Sequence, residues 1–571
     1  MKKLLLLLYV LISLPLFERK AMASDFLVSY NVTYEVLDNS ETEVFQEIKV
    51  KNLTNSIFVS SYKLNVNHIK ITDIKASNKS GELKLDTSYK DGQTTIQVFF
   101  NDQVIGEGKE INWNLKYKTK DVSTKNGQVL EVTIPKISNF TNVEEYNAKL
   151  LVPDKFGDLL TINPPPILVE EKDSKRIYKF NLNQIQDSAV NATFGKYQLF
   201  NFKLTYDLKN EGFFSQEKTI ALPPDIKDRQ TILIKEISKK PDKLKIDKDG
   251  NHIAVFTVPP RSELQINLIG QAKIKNKRID AKNGGRFDDL PKNLVKDYTT
   301  SKKYWETGDP KITSISKSLN EKLIVSEDAK RVYEYVLKTL SYDNSKNKNI
   351  IVERLGASKS LLKPKEAICM EFVDLFITIA RSMGIPAREV NGYAYSKSPS
   401  LTPLSINLRG GDVLHSWAQY YDPKFGWVQI DPTWGETSGL DYFENLDSNH
   451  FAFVIKGLSS EYPLPAGAYK NTDREKPQVD VSFAITDDTK EEYSVKAEKV
   501  FDINFINLLL GKKKVILTNT GGQTLFDVKE PKLGKFPPMY KTKAYIRGDE
   551  ITVQFKNFDG EDRELKVKLS R

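Results

Sequence analysis

The stretch VLHSWAQYYDPKFGWVQID, residues 413–431, reads as a β-hairpin, and its register decides what the centre of the chain can do. Residues 413–421 alternate as a strand, Asp422-Pro423-Lys424-Phe425-Gly426 supplies a turn, and Trp427 to Asp431 begins a second strand. Successive side chains on a strand point to opposite faces, so pairing fixes which groups meet. If Tyr421 faces Trp427, Asp431 lies opposite Trp417 and diagonal to His415, with all three side chains on one face. A slip of one residue would part the imidazole from the carboxylate. The plainer readings are a surface histidine and an aspartate that caps the turn before Pro432.

Working upstream, residues 366–383 carry Cys369, Phe372, Phe376, Ile379 and Met383 at helical spacing, which predicts a helix with one buried face. Cys369 falls in its first turn, where free backbone N–H groups and the positive end of the helix dipole suit a nucleophilic sulfur. The plainer reading is a small buried apolar side chain. A second helix is predicted over 327–341, with Ala329, Val332, Tyr333, Val336, Leu337 and Leu340 on one face. Cys369 is the only cysteine, so no intramolecular disulfide forms and zinc sites built on paired cysteines are excluded. No His-Glu-x-x-His pattern occurs among His68, His252, His415 and His450, and no metal or cofactor is expected.

Several ordered runs together resemble the transglutaminase-like superfamily. They are Cys369-Met370-Glu371-Phe372, Ala380-Arg381-Ser382-Met383-Gly384-Ile385-Pro386-Ala387-Arg388, Asn391-Gly392-Tyr393, Leu414-His415-Ser416-Trp417-Ala418 and Gly426-Trp427-Val428-Gln429-Ile430-Asp431-Pro432-Thr433. The resemblance covers roughly residues 320–460 and implies a papain-like core with Cys369, His415 and Asp431 as the catalytic triad. Cys369 would attack an amide carbonyl, His415 would carry the thiol proton to the leaving amine, and Asp431 would orient the imidazole. Two positions depart from the family pattern: Ala367 stands where glycine is common, and Lys363 where an oxyanion donor is found in relatives. The N–H of Cys369 can serve as one oxyanion donor, and the second is unassigned.

On either side the chain changes character. The N-terminus has Lys2 and Lys3, an apolar run from Leu4 to Phe17, and Ala21-Met22-Ala23, the three parts of a signal peptide. That run is shorter than the roughly 20 residues that span a bilayer, so export and a secreted or envelope location are expected. Alternation such as Val28, Tyr30, Val32, Tyr34, Val36 and Ile111, Trp113, Leu115, Tyr117 marks a β region. The expected organisation is a signal peptide over 1–23, an N-terminal β-sandwich over 24–200, and a second β domain over 201–285. A transglutaminase-like catalytic domain then spans 286–470 and an Ig-like β-sandwich 471–571, with a polar linker near 470–477. The fold class is therefore α+β.

The net charge of +10 arises from 85 basic against 75 acidic residues scattered through candidate strands. A nucleic-acid partner would want a basic stripe with stacking aromatics, which is not found. Attraction to an anionic cell envelope is compatible with the charge. The oligomeric state is not legible. Trp417 and Trp434 are candidates for lining an acyl cleft, His450 is expected to pack, and Glu444 and Asp447 lie outside any calcium-loop pattern. The expected function is that of an exported thiol enzyme acting on protein or peptide amides by hydrolysis or acyl transfer. The alternative is a non-catalytic surface-binding scaffold.

Overall fold

The computed structural model describes residues 25–570 apart from 68, 103–104, 137–140, 187–188, 349–352, 396–405, 409–411, 439, 470–477, 490–491 and 502–510. The expected signal peptide, His68 and the linker at 470–477 lie outside the described residues. The chain is mostly β, with 50% strand and 15% helix in several sheets. Its described residues divide into two compact units.

One unit takes in the chain up to Val122 with Pro135–Pro153 and Pro164–Ala189. It contains an eight-stranded and a three-stranded sheet. The alternating residues Val28, Val32, Tyr34 and Val36, and likewise Ile111, Trp113, Leu115 and Tyr117, are buried, as a strand with one face on a core requires.

The other unit holds Ser123–Ile134, Asp154–Asn163 and the chain from Val190 onward. Within it, Val479–Phe483 hydrogen-bonds along Tyr197–Asn210, so the strand that follows the expected linker joins an upstream sheet. Seven further strands between Val495 and Ser570 form one continuous hydrogen-bonded order.

The centre of this unit is a five-stranded sheet. Its order is Ile406–Leu408, Asp412–Asp422, Ala387–Ala394, His450–Lys456, with Gly426–Ile430 also paired to Asp412–Asp422. In the hairpin Tyr421 pairs with Trp427 and Ala418 with Ile430, which is the register read from the sequence. The turn is locked by Asp422, whose Oδ1 accepts the N–H groups of Lys424 and Phe425 at 2.8 and 3.1 Å. Gly426 closes it at a φ of 73°, a left-handed conformation that costs glycine little.

The helices Val325–Thr339 and Cys369–Ser382 pack their apolar stripes into a shared core. Phe372, Val373, Phe376, Ile379 and Ala380 of the second helix are fully buried there, against Ala418, Tyr420 and Ile430 of the hairpin. The start of the cysteine helix is fixed by Glu371, whose carboxylate accepts the N–H of Ile368 at 3.0 Å and of Leu355 at 2.9 Å.

One guanidinium ties the helix to the sheet. Arg354 Nε donates to Asp374 Oδ2 at 2.9 Å, and Nη2 donates both to Asp374 Oδ1 and, at 2.9 Å, to Glu389 Oε2. Trp305 Nε1 adds a bond to Asp374 at 2.8 Å. Both carboxylates are buried, so removing the cation leaves Asp374 without its ion pair and Glu389 with Lys456 alone. Arg354→Met is expected to lower the free energy of unfolding of this unit by about 3–5 kcal/mol. Urea denaturation followed by tryptophan fluorescence measures it.

Candidate active site

Two histidines meet from strands that flank Ala387–Ala394. His415 is paired with Gly392 on one side, and His450 is paired with Ala394 on the other. Directly paired residues point to the same face, as do residues two apart along one strand. Both imidazoles therefore rise from one face, over two of the smallest side chains. A bulge between Asn391 and Gly392 brings the neighbouring backbone close: a Cβ at Gly392 would sit 2.0 Å from the carbonyl oxygen of Phe451. Only glycine fits there.

Asp431 stands just past the end of the hairpin and opens the helix Pro432–Ser438. Its Oδ1 accepts the N–H groups of Thr433 and Trp434 at 2.9 and 3.0 Å, the bonding of a helix cap. Its Oδ2 lies 2.6 Å from His415 Nε2 and 3.0 Å from His450 Nε2. The capping role and the imidazole contact, which from sequence stood as rival readings, are both filled by one carboxylate.

Cys369 is the first residue of its helix and is fully buried. Its side chain comes close enough to His415 to strengthen that ring's hold on a proton. The contact stops short of full hydrogen-bond geometry, because His415 Nδ1 has no hydrogen-bond partner among the described residues. Since Nε2 is engaged by Asp431, Nδ1 is the nitrogen left to exchange a proton with sulfur.

Burial alone opposes a charged imidazole, yet the charge and hydrogen bond of Asp431, aided by Cys369, raise His415 to about 9. His252 shows the uncompensated case. It is buried with Nε2 unpartnered, and burial, helped by the charge of Lys535, pushes it down to about 3. Burial also opposes the charge on Asp431, but the charge and hydrogen bond of His415, followed by those of His450, hold its carboxyl far below the usual range.

The expectation that His450 merely packs is corrected: it bonds Asp431 through Nε2 and Asp447 Oδ1 through Nδ1 at 2.7 Å. The sequence offered no signal for this, since the strand Ala387–Ala394 lies between the two histidines and sheet order is not written in alternation. Trp417 and Trp434 are buried against the histidines. The ring of Trp417 stacks 6.2 Å from that of His415, and the ring of Trp434 lies 4.5 Å from that of His450. Trp417 Nε1 donates to Gln429 at 3.0 Å, while Trp434 Nε1 has no partner among the described residues. Glu444 accepts from Lys330 Nζ at 2.9 Å and from Ala281 N at 3.1 Å. Arg388 lies over the Trp427 ring and donates to Gln419 Oε1 at 2.6 Å.

His415, Asp431 and His450 offer three ligand atoms within 4.8 Å of one another. Two tetrahedral ligands each about 2.0–2.1 Å from zinc stand roughly 3.3 Å apart. The 2.6 Å separation of His415 Nε2 from Asp431 Oδ2 is that of a shared proton instead.

Residues 313–432 match the transglutaminase-like superfamily, a span that contains Cys369, His415 and Asp431. The chain carries a transglutaminase-like domain. Among curated proteins it is similar to the uncharacterized protein YebA of Bacillus subtilis, 25% identical over 35% of this chain and 32% of that protein. It is also similar to a protein-glutamine gamma-glutamyltransferase of Pseudomonas aeruginosa, 29% identical over 14% of this chain and 12% of the relative. The chain thus spans a third or less of these relatives' length. Among solved structures, a protein provisionally described as a cysteine protease from Cytophaga hutchinsonii aligns over 50% of this chain and 99% of its own, with 14% identity and a TM-score of 0.31.

The raised His415 links protonation to stability. A folded value near 9 against about 6.5 in the unfolded chain gives a contribution fully present below about 6.5 and lost as pH rises through 9. The difference in unfolding free energy between the protein and His415→Gln is expected to shrink between pH 6.5 and 9. Urea titrations across that range read it, and a difference that stays constant would contradict the shift.

Proposed function

We propose that this chain is an exported thiol enzyme that transfers acyl groups from protein or peptide amides through a thioester on Cys369. The observation that carries this reading is the 2.6 Å contact between His415 Nε2 and Asp431 Oδ2, with the thiol on the remaining side of the ring. Sulfur attacks the amide carbonyl with its proton already held on His415 Nδ1. The imidazolium then returns that proton to the departing amine, and Asp431 balances the charge in between. The backbone N–H of Cys369, at the start of its helix, lies where a developing oxyanion gains from the helix dipole.

A second nucleophile then releases the acyl group. Water gives hydrolysis, and a primary amine gives transamidation. The glutamyltransferase name of the Pseudomonas relative favours glutamine side-chain amides as acyl donors. The flanking β domains would present or hold substrate. In the structure the thiol is shut from solvent, so a substrate reaches it only when neighbouring residues move aside.

Incubation with a glutamine peptide and a labelled amine, then with a peptide library, tests the reading when products are resolved by mass. Amine incorporation, deamidation or cleavage is expected, abolished in Cys369→Ala and reduced about 10²- to 10⁴-fold in His415→Gln. Products that persist at full rate in Cys369→Ala would overturn it. No product, together with unchanged partner binding in that variant, would favour a scaffold.

A further inference from the structure

We propose that His450 is an imidazolium, clamped between Asp431 and Asp447, and that it acts as a positioning residue that tempers the pull of Asp431 on the proton of His415. The inference rests on the triad reading above and extends it to residues beyond the matched span, which ends at 432.

The argument starts from donors and acceptors. His450 Nε2 lies 3.0 Å from Asp431 Oδ2, and Nδ1 lies 2.7 Å from Asp447 Oδ1. A neutral imidazole has one N–H, and a carboxylate only accepts. Two short contacts to two carboxylates are satisfied together when both ring nitrogens carry protons. A neutral ring would instead turn one lone pair toward an anion.

The surroundings are consistent with a buried cation. Asp447 is itself held, accepting from Asn449 N at 2.9 Å and Tyr442 Oη at 3.3 Å. Arg229 donates to the carbonyls of Leu446 and Asp447, and Glu131 accepts from Asn449 Nδ2 at 2.9 Å. From the other elements packed on the ring come His415, Trp417 and Trp434. Burial works against the charge on His450, but Asp447 and Asp431 more than offset it and raise its proton affinity.

The consequence for chemistry follows from charge. Asp431 and Asp447 bring two negative charges, and His450 cancels one. Without that cation, His415 would face both anions and hold its proton too tightly to return it to a leaving amine. The two rings lie 5.9 Å apart. A unit charge about 6 Å away at an effective dielectric of about 20 moves a titration by roughly 2 pH units.

The test uses the full chain labelled with ¹⁵N-histidine. Both ring nitrogens of His450 are expected to be protonated at pH 7, and in Asp447→Asn the ring is expected to lose a proton at lower pH than in the unmodified protein. A neutral tautomer of His450 at pH 7 in the unmodified protein overturns the proposal, as does stoichiometric zinc held by the purified protein. In parallel, iodoacetamide alkylation of Cys369 is followed against pH. The inflection that vanishes in His415→Gln is expected to move up by at least one unit in His450→Gln. An inflection that is present but unmoved overturns this proposal alone. If His415→Gln changes nothing, the triad reading fails with it.

Discussion

A single buried carboxylate, that of Asp431, sets the terms for everything around it. Fully removed from water, it is tolerable only with its lone pairs engaged, and four donors supply them: two backbone N–H groups on Oδ1 and two imidazoles on Oδ2. Meeting that demand fixes the hairpin register, the start of the helix Pro432–Ser438, and the placing of two strands on either side of Ala387–Ala394. It also requires a glycine at 392, since the strand carrying His450 passes too close for any side chain there. The site is thus a solution to a desolvation problem before it is a catalyst.

The same economy of charge recurs behind the nucleophile. Arg354 bridges Asp374 on the cysteine helix and Glu389 on the central strand, so helix and sheet are joined by an ion network, not by apolar contact alone. Such pairs add little net stability over a well-packed apolar substitute, but they are directional. Direction is what a thiol and an imidazole from separate elements need, because proton transfer depends on their relative placement. The contrast with His252, buried without an anionic partner and pushed toward neutrality, shows that burial by itself would have silenced His415.

Much of this was legible from residues near one another in the chain. The Asp-Pro-x-x-Gly turn fixed the pairing of Tyr421 with Trp427, and from that pairing the meeting of His415 with Asp431 followed by parity. The cysteine helix was legible because its apolar stripe is continuous from Phe372 to Ile379, although its start lay at Cys369 instead of 366. His450 was not legible, because a third strand intervenes and alternation says nothing about which strands are neighbours. Trp417 and Trp434 were read as candidates for a cleft because aromatic side chains serve both packing and recognition. Their rings are spent on walling in the two imidazoles. The pairing of Val479–Phe483 with Tyr197–Asn210 was hidden for the same reason as His450: it joins segments far apart in the chain.

The central claim is that the charge on Asp431 keeps His415 protonated at neutral pH inside a fully buried site. Titration of the His415 ring nitrogens by NMR addresses it most directly and needs no substrate. Both nitrogens carrying protons at pH 7, with loss of one near pH 9, is the predicted result. A His415 ring already neutral at pH 7 would contradict the account.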